Sequence, residues 1–171
     1  MKTKIVLLSV LIGLTTVGSD CINQGFEVAI NLDQINGTYV INPGPNPSYS
    51  GSVTVDPTTL YDQNYNLTGA SIYGIDVSTA GANLGNCSGT VRVNGILLLT
   101  YNGAWTAFNT PQSILTSPLI TRNQAGITEL INAVLQGRMI TLSSSGTVTT
   151  TPVPSGCSVT VSAYVQAYGT P

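Results

Sequence analysis

From Phe26 onward the chain is cut into short apolar-rich segments by prolines, Asn-Gly pairs and runs of small residues, and one segment alone escapes the cutting. Pieces of about four to eight residues between such breaks suit strands rather than helices. Phe26, Val28, Ile30 and Leu32 alternate with Glu27, Ala29 and Asn31, the period of a half-buried strand. Asn36-Gly37 predicts a type I′ hairpin, because both central residues of that turn need positive φ, with 38–41 as the return strand. Residues 42–50 hold three prolines and read as a loop.

Residues 52–55 read as a further strand, followed by Asp56-Pro57 as the cap and first position of a helical turn. Residues 67–77 read as extended, with Tyr73, Ile75 and Val77 on one face, and 79–89 as a loop of small residues. Two Asn-Gly pairs, at 94–95 and 102–103, divide 90–108 into a predicted three-strand meander. Its middle strand carries the apolar run Ile96 to Leu99, which suits cover on both faces. Residues 139–143, 147–151 and 159–168 complete the strands.

The uncut segment holds Ile127, Leu130, Ile131, Val134 and Leu135 at helical spacing on one stripe. Thr121 with Gln124 forms the expected capping box, and Gly137 the stop. The pattern predicts an all-β, single-domain β-sandwich with one amphipathic helix laid against the sheets. Jelly-roll and Ig-like strand orders both remain open.

Residues 1–4 are basic, 5–14 apolar, and 15–19 small and polar, the build of a secretory signal peptide. The expected organisation is a leader over 1–19 and a β-sandwich domain over 20–171. The apolar stretch is too short to span a bilayer, which needs about 20 apolar residues, and no later segment reaches that length, so the mature chain is expected to lack a transmembrane helix. Cys21 then falls second in the mature chain, where a lipid anchor would be attached. Asp20 directly before it departs from the small-residue pattern of a lipobox.

Cys87 and Cys157 sit in similar contexts, Asn-Cys-Ser-Gly-Thr-Val and Gly-Cys-Ser-Val-Thr-Val, each opening a predicted strand. If those strand starts lie side by side, the two cysteines are within disulfide reach. A bridge through Cys21 is the alternative, and an odd count leaves one thiol over.

Charge decides what the surface cannot do. Only 7% of residues are charged, against about 25% in ordinary soluble domains. Beyond the leader, Arg92, Arg122 and Arg138 face seven carboxylates, a net charge of −4, with no Lys and no His. Three scattered arginines cannot neutralise a run of phosphates, which excludes nucleic acid as a partner. A surface of Ser, Thr, Asn, Gln and Gly either keeps an extracellular protein soluble or packs against copies of itself without repulsion.

Without His or mature Lys the chain lacks the bases that activate Ser or Cys nucleophiles, and it has no phosphate-cradling glycine motif. No catalytic residue, cofactor or metal site is expected. Asp62, Asn64 and Asn66 fit the opening of a calcium loop, but Leu67 and Tyr73 stand where the loop needs Gly and Glu. Tyr49, Tyr61, Tyr65, Tyr101, Trp105 and Tyr164, among many amides, suit sugar recognition by ring stacking beside hydrogen bonds. Trp105 and Tyr65 are the candidate ligand aromatics, weighed against Trp105 as a core filler.

These features predict an exported, non-catalytic structural or adhesive protein of the cell envelope or extracellular space. Its expected partner is itself or another envelope component. The strand over 26–32 is a candidate for addition to a neighbouring subunit. A carbohydrate- or ligand-binding module, with a glycan partner, and a surface lipoprotein are the alternatives.

Overall fold

The computed structural model describes residues 28–32, 35–61 and 64–170. The leader, Cys21, Phe26 and Asp62 lie outside them. Ten strands are present among the described residues: β1 Val28–Asn31, β2 Ile35–Val40, β3 Ser48–Val55, β4 Asn66–Ala80, β5 Asn86–Val93, β6 Ile96–Ala104, β7 Gln112–Ser113, β8 Ile120–Arg122, β9 Ile140–Val148 and β10 Ser158–Thr170. One α-helix, α1 Gln124–Leu135, separates β8 from β9.

The strands form two antiparallel sheets. In the first, β10 is central, with β1 and β2 sharing one side, β4 on the other and β7 outside β4. The second runs β3-β9-β5-β6-β8. The pairings nest: β5 with β6, β4 with β7, β3 with β9 and β2 with β10. A long hairpin rolled up in this way is a jelly roll, which decides between the two expected strand orders.

Alternate residues of both sheets point into one shared core. Ile35, Tyr39, Ile75, Val77, Val159 and Val161 face it from the first sheet, and Val91, Val93, Leu99, Tyr101, Ile140 and Leu142 from the second. The row Tyr49–Gly146–Gly89–Tyr101 crosses the second sheet in register. Each phenol lies over the neighbouring strand's glycine. A Cβ on Gly146 would stand 2.7 Å from Tyr49 Oη, and one on Gly89 2.5 Å from Tyr101 Oη.

Several local expectations change once partner strands are in place. Of the three Asn-Gly pairs only Asn94-Gly95 turns, with φ of 49° and 83°. Asn36-Gly37 runs straight through β2 and Asn102-Gly103 through β6, because their neighbours hold them in the ladder. The predicted strand over 104–108 is a 3-10 turn, Trp105–Phe108. The predicted pair 139–143 and 147–151 is largely one strand, β9. The apolar run of β6 is not covered throughout: Leu98 and Leu99 are buried, but Ile96 is 40% exposed. Asp56 caps the 3-10 turn Pro57–Thr59 as expected, accepting from Thr58 N at 3.0 Å.

Helix α1 forms where the apolar stripe places it and packs against β6 and β4. Its cap is Asn123, whose Oδ1 accepts from Ala125 N at 3.0 Å, whereas Thr121 is held in β8. No helix among the described residues is long and apolar enough to cross a membrane.

Candidate functional site

The cysteines are not joined. Cys87 lies in β5 of the second sheet, while Cys157 immediately precedes β10 of the first, so the two strand starts are not neighbours. Both thiols are free and buried. Burial pushes the Cys87 thiol up to about 11. Cys157 Sγ contacts Ala82 O at 3.8 Å. The premise of side-by-side strands fails, and the expected bridge with it.

Trp105 is fully buried, and its backbone is tied down by Trp105 N to Gly85 O at 2.7 Å and by Thr79 Oγ1 to Trp105 O at 3.0 Å. No ring face is left for a ligand, so Trp105 is a core filler. Tyr65 stands half-buried on a bend before β4. The strand β1 pairs with Gln166–Gly169 of its own β10, which removes it as a donor to a neighbour. No group of three or more His, Cys, Asp or Glu gathers among the described residues.

Three surface features remain. The first is the outer face of the second sheet, an array of hydroxyls. Ser88 and Thr147 meet across strands at 3.1 Å, and Thr90 with Ser145 and Thr54 with Thr141 at 3.2 Å. An open depression of about 560 Å³ sits over the Gly89–Gly146 pair, rimmed by Ser48, Thr147, Ser88, Thr90 and Asn102. Arg92, whose guanidinium donates to Gly95 O at 3.0 Å, is the charged side chain this face carries among its described strand residues.

The second is the edge of that sheet. Strand β3 pairs with β9 alone among the described residues. It reads Ser-Tyr-Ser-Gly-Ser-Val-Thr-Val, without charge, proline or register shift, and Ser50, Gly51, Ser52 and Thr54 are exposed.

The third is the outer face of the first sheet. Tyr164 pairs with Gly74 and Val165 with Ile72, so Tyr73 is an extra residue in a bulge. The bulge breaks the expected alternation: Ile75 and Val77 are buried, but Tyr73 is 53% exposed. Its ring meets that of Tyr164 at 5.8 Å between centroids and 41° between planes. One register shift further on, Tyr168 lies over Gly69, and its hydroxyl donates to Gln166 Oε1 at 3.1 Å. Burial first, and the Asp76 carboxylate second, push the Tyr164 phenol above its ordinary value.

No protein-family model matches the chain, and no curated protein matches it. Among solved structures, one of Desmodium yellow mottle tymovirus aligns at 10% identity over 100% of this chain and 97% of its own, with a TM-score of 0.35. One of turnip yellow mosaic virus aligns at 12% identity over 87% of this chain and 96% of its own, with a TM-score of 0.37. Likeness at that level carries no argument about this chain.

The sequence had offered Tyr164 as one of its aromatics but set Tyr73 on one face with Ile75 and Val77, and it did not single out Tyr168. The bulge that turns Tyr73 outward is set by pairing with β10 and has no local signal beyond the adjacent Gly74.

Proposed function

We propose that the chain is an exported, non-catalytic structural or adhesive domain that associates with like subunits through the β3 side of its second sheet. The observation that carries this reading is the eight-residue β3 edge. Natural proteins blunt exposed edges with Lys, Pro, bulges or a covering element, because an open row of N–H and C=O groups recruits another strand. β3 carries no Lys, no Pro and no bulge, and the face beside it holds mostly hydroxyls in place of charges that would repel a second copy. Jelly rolls serve both as assembly subunits and as ligand-binding domains, so the architecture is compatible with this role without dictating it. Export rests on the leader over 1–19, and the lack of a catalytic role on the absence of His and of mature Lys.

Sedimentation velocity of the mature chain across a wide concentration range tests the reading. Reversible association that is lost in Ser50→Lys/Ser52→Lys, with an unchanged circular dichroism spectrum, is the expected result. A wild-type chain that stays monomeric at every concentration overturns it. Intact mass from the native host separates a free chain starting at Asp20 from one lipidated on Cys21.

A further inference from the structure

We infer that the outer face of the first sheet is a binding site for neutral polysaccharide, with Tyr73, Tyr164 and Tyr168 as stacking platforms and Asp76 and Gln166 as hydrogen-bonding partners. The site is independent of the β3 edge and lies on the other sheet.

Recognition of a sugar chain needs ring faces for its C–H surfaces and fixed polar groups for its hydroxyls. This face supplies both along β10. Tyr164, Gln166 and Tyr168 are alternate residues of one strand and share its outer side. At about 3.4 Å per residue the two tyrosines are set roughly 14 Å apart, the span of a short oligosaccharide rather than one monosaccharide. Tyr73 widens the platform at one end, and Asp76, opposite Ser162, places a carboxylate beside Tyr164.

Two details show a built surface. Both large rings lie over glycines of β4: a Cβ on Gly74 would stand 3.2 Å from Tyr164 Cδ2, and one on Gly69 3.6 Å from Tyr168 Cδ2. The bulge at Tyr73 places a third ring outward where strict alternation would have buried it. Tyr73 is 53% exposed, and its ring is oriented by its contact with Tyr164.

Charge selects the ligand. Arg92, Arg122 and Arg138 belong to β5, β8 and the segment leading into β9, all on the side of the second sheet. The tyrosine face thus has no described cation to meet an anionic polymer, and its acceptors suit hydroxyl donors. A quaternary ammonium group held by cation–π contact with Tyr73 and Tyr164 beside Asp76 is the competing ligand chemistry.

Affinity electrophoresis of the mature chain in gels containing soluble β-glucan, xylan or glycol chitin, with pull-down on cellulose, provides the test. Retardation by at least one of these polymers is expected. It should fall about tenfold in Tyr164→Ala and in Tyr73→Ala, persist in Tyr164→Phe, and persist in Ser52→Ala as a control on the other sheet. Thermal melts of each variant exclude unfolding as the cause. Absence of retardation by every polymer, retardation indifferent to Tyr73 and Tyr164, or tyrosine-dependent binding of choline in place of the polymers overturns the inference.

Discussion

Tyr39 places a phenol between the sheets at 3% exposure, and its Oη has no hydrogen-bond partner in the structure. An unpaired buried hydroxyl costs its desolvation and returns nothing. Tyr39→Phe is therefore expected to raise stability by about 1 kcal/mol in urea denaturation. A loss of similar size would show that the hydroxyl is bonded. The same burial pushes Tyr39 and Tyr101 from 10.0 to about 12, so the folded state holds protons that the unfolded chain releases. Their contribution to stability is complete below the unfolded value and drains away as pH climbs from there toward 12. Stability measured between those values should decline steeply in the wild type and less steeply in Tyr39→Phe. Gly126 carries the opposite lesson. Replacing a helical glycine with alanine ordinarily stabilises by about 1 kcal/mol. Here a Cβ would collide with the Leu97 carbonyl oxygen and the Leu98 Cα, both backbone. Gly126→Ala should cost about 2 kcal/mol in thermal melts, and a gain would mean that α1 can lift off β6.

Helix α1 was legible because its signal is periodic and local: Leu130 and Val134 are fully buried where the stripe points. Its cap was not, since Thr121 pairs in β8 with Thr100 and leaves Asn123 to begin the helix. The Asn-Gly pairs show the same limit, for three alike dipeptides meet three different partners and one turns. Bulges and strand ends follow from what lies across the ladder, and this is why the tyrosine face, assembled by a bulge, was only one-third visible in advance. The element most exposed to pH is the joint between α1, the β5–β6 turn and β9. Glu129 accepts from Arg138 and from Asn94 Nδ2, each at 2.9 Å, and Asn94 Oδ1 accepts from Thr141 N at 2.9 Å. The bond from Arg138, and after it that from Asn94, holds the Glu129 carboxyl below its ordinary value of 4.5. A depressed carboxylate stabilises above its unfolded pKa, and the contribution is lost as pH falls through the folded value. Wild type should therefore exceed Glu129→Gln in Tm at neutral pH, with the gap closing below the ordinary carboxyl value. A gap independent of pH would show that packing rather than charge holds the joint.

At the scale of the whole molecule, rolling a hairpin makes its outer pairings long-range in sequence: Thr38 meets Thr160, 122 residues away. Such contacts form slowly, and once formed they tie the first and last described strands into one sheet. Cys87 and Cys157 sample both halves of that closure, one from each sheet, and both are buried in the shared core. Neither thiol can meet a reagent unless the sheets part, and while they are closed burial also keeps the Cys87 thiol protonated at neutral pH. If the core opens as a unit, a thiol-reactive probe should label both cysteines at one common slow rate. Added urea should raise that rate in step with the global unfolding equilibrium. Rapid labelling of Cys157 with Cys87 still protected would mean that the start of β10 frays independently of the second sheet. A native mass two hydrogens lighter, restored by reduction, would mean that the protein bridges these cysteines after all, across sheets rather than along neighbouring strands.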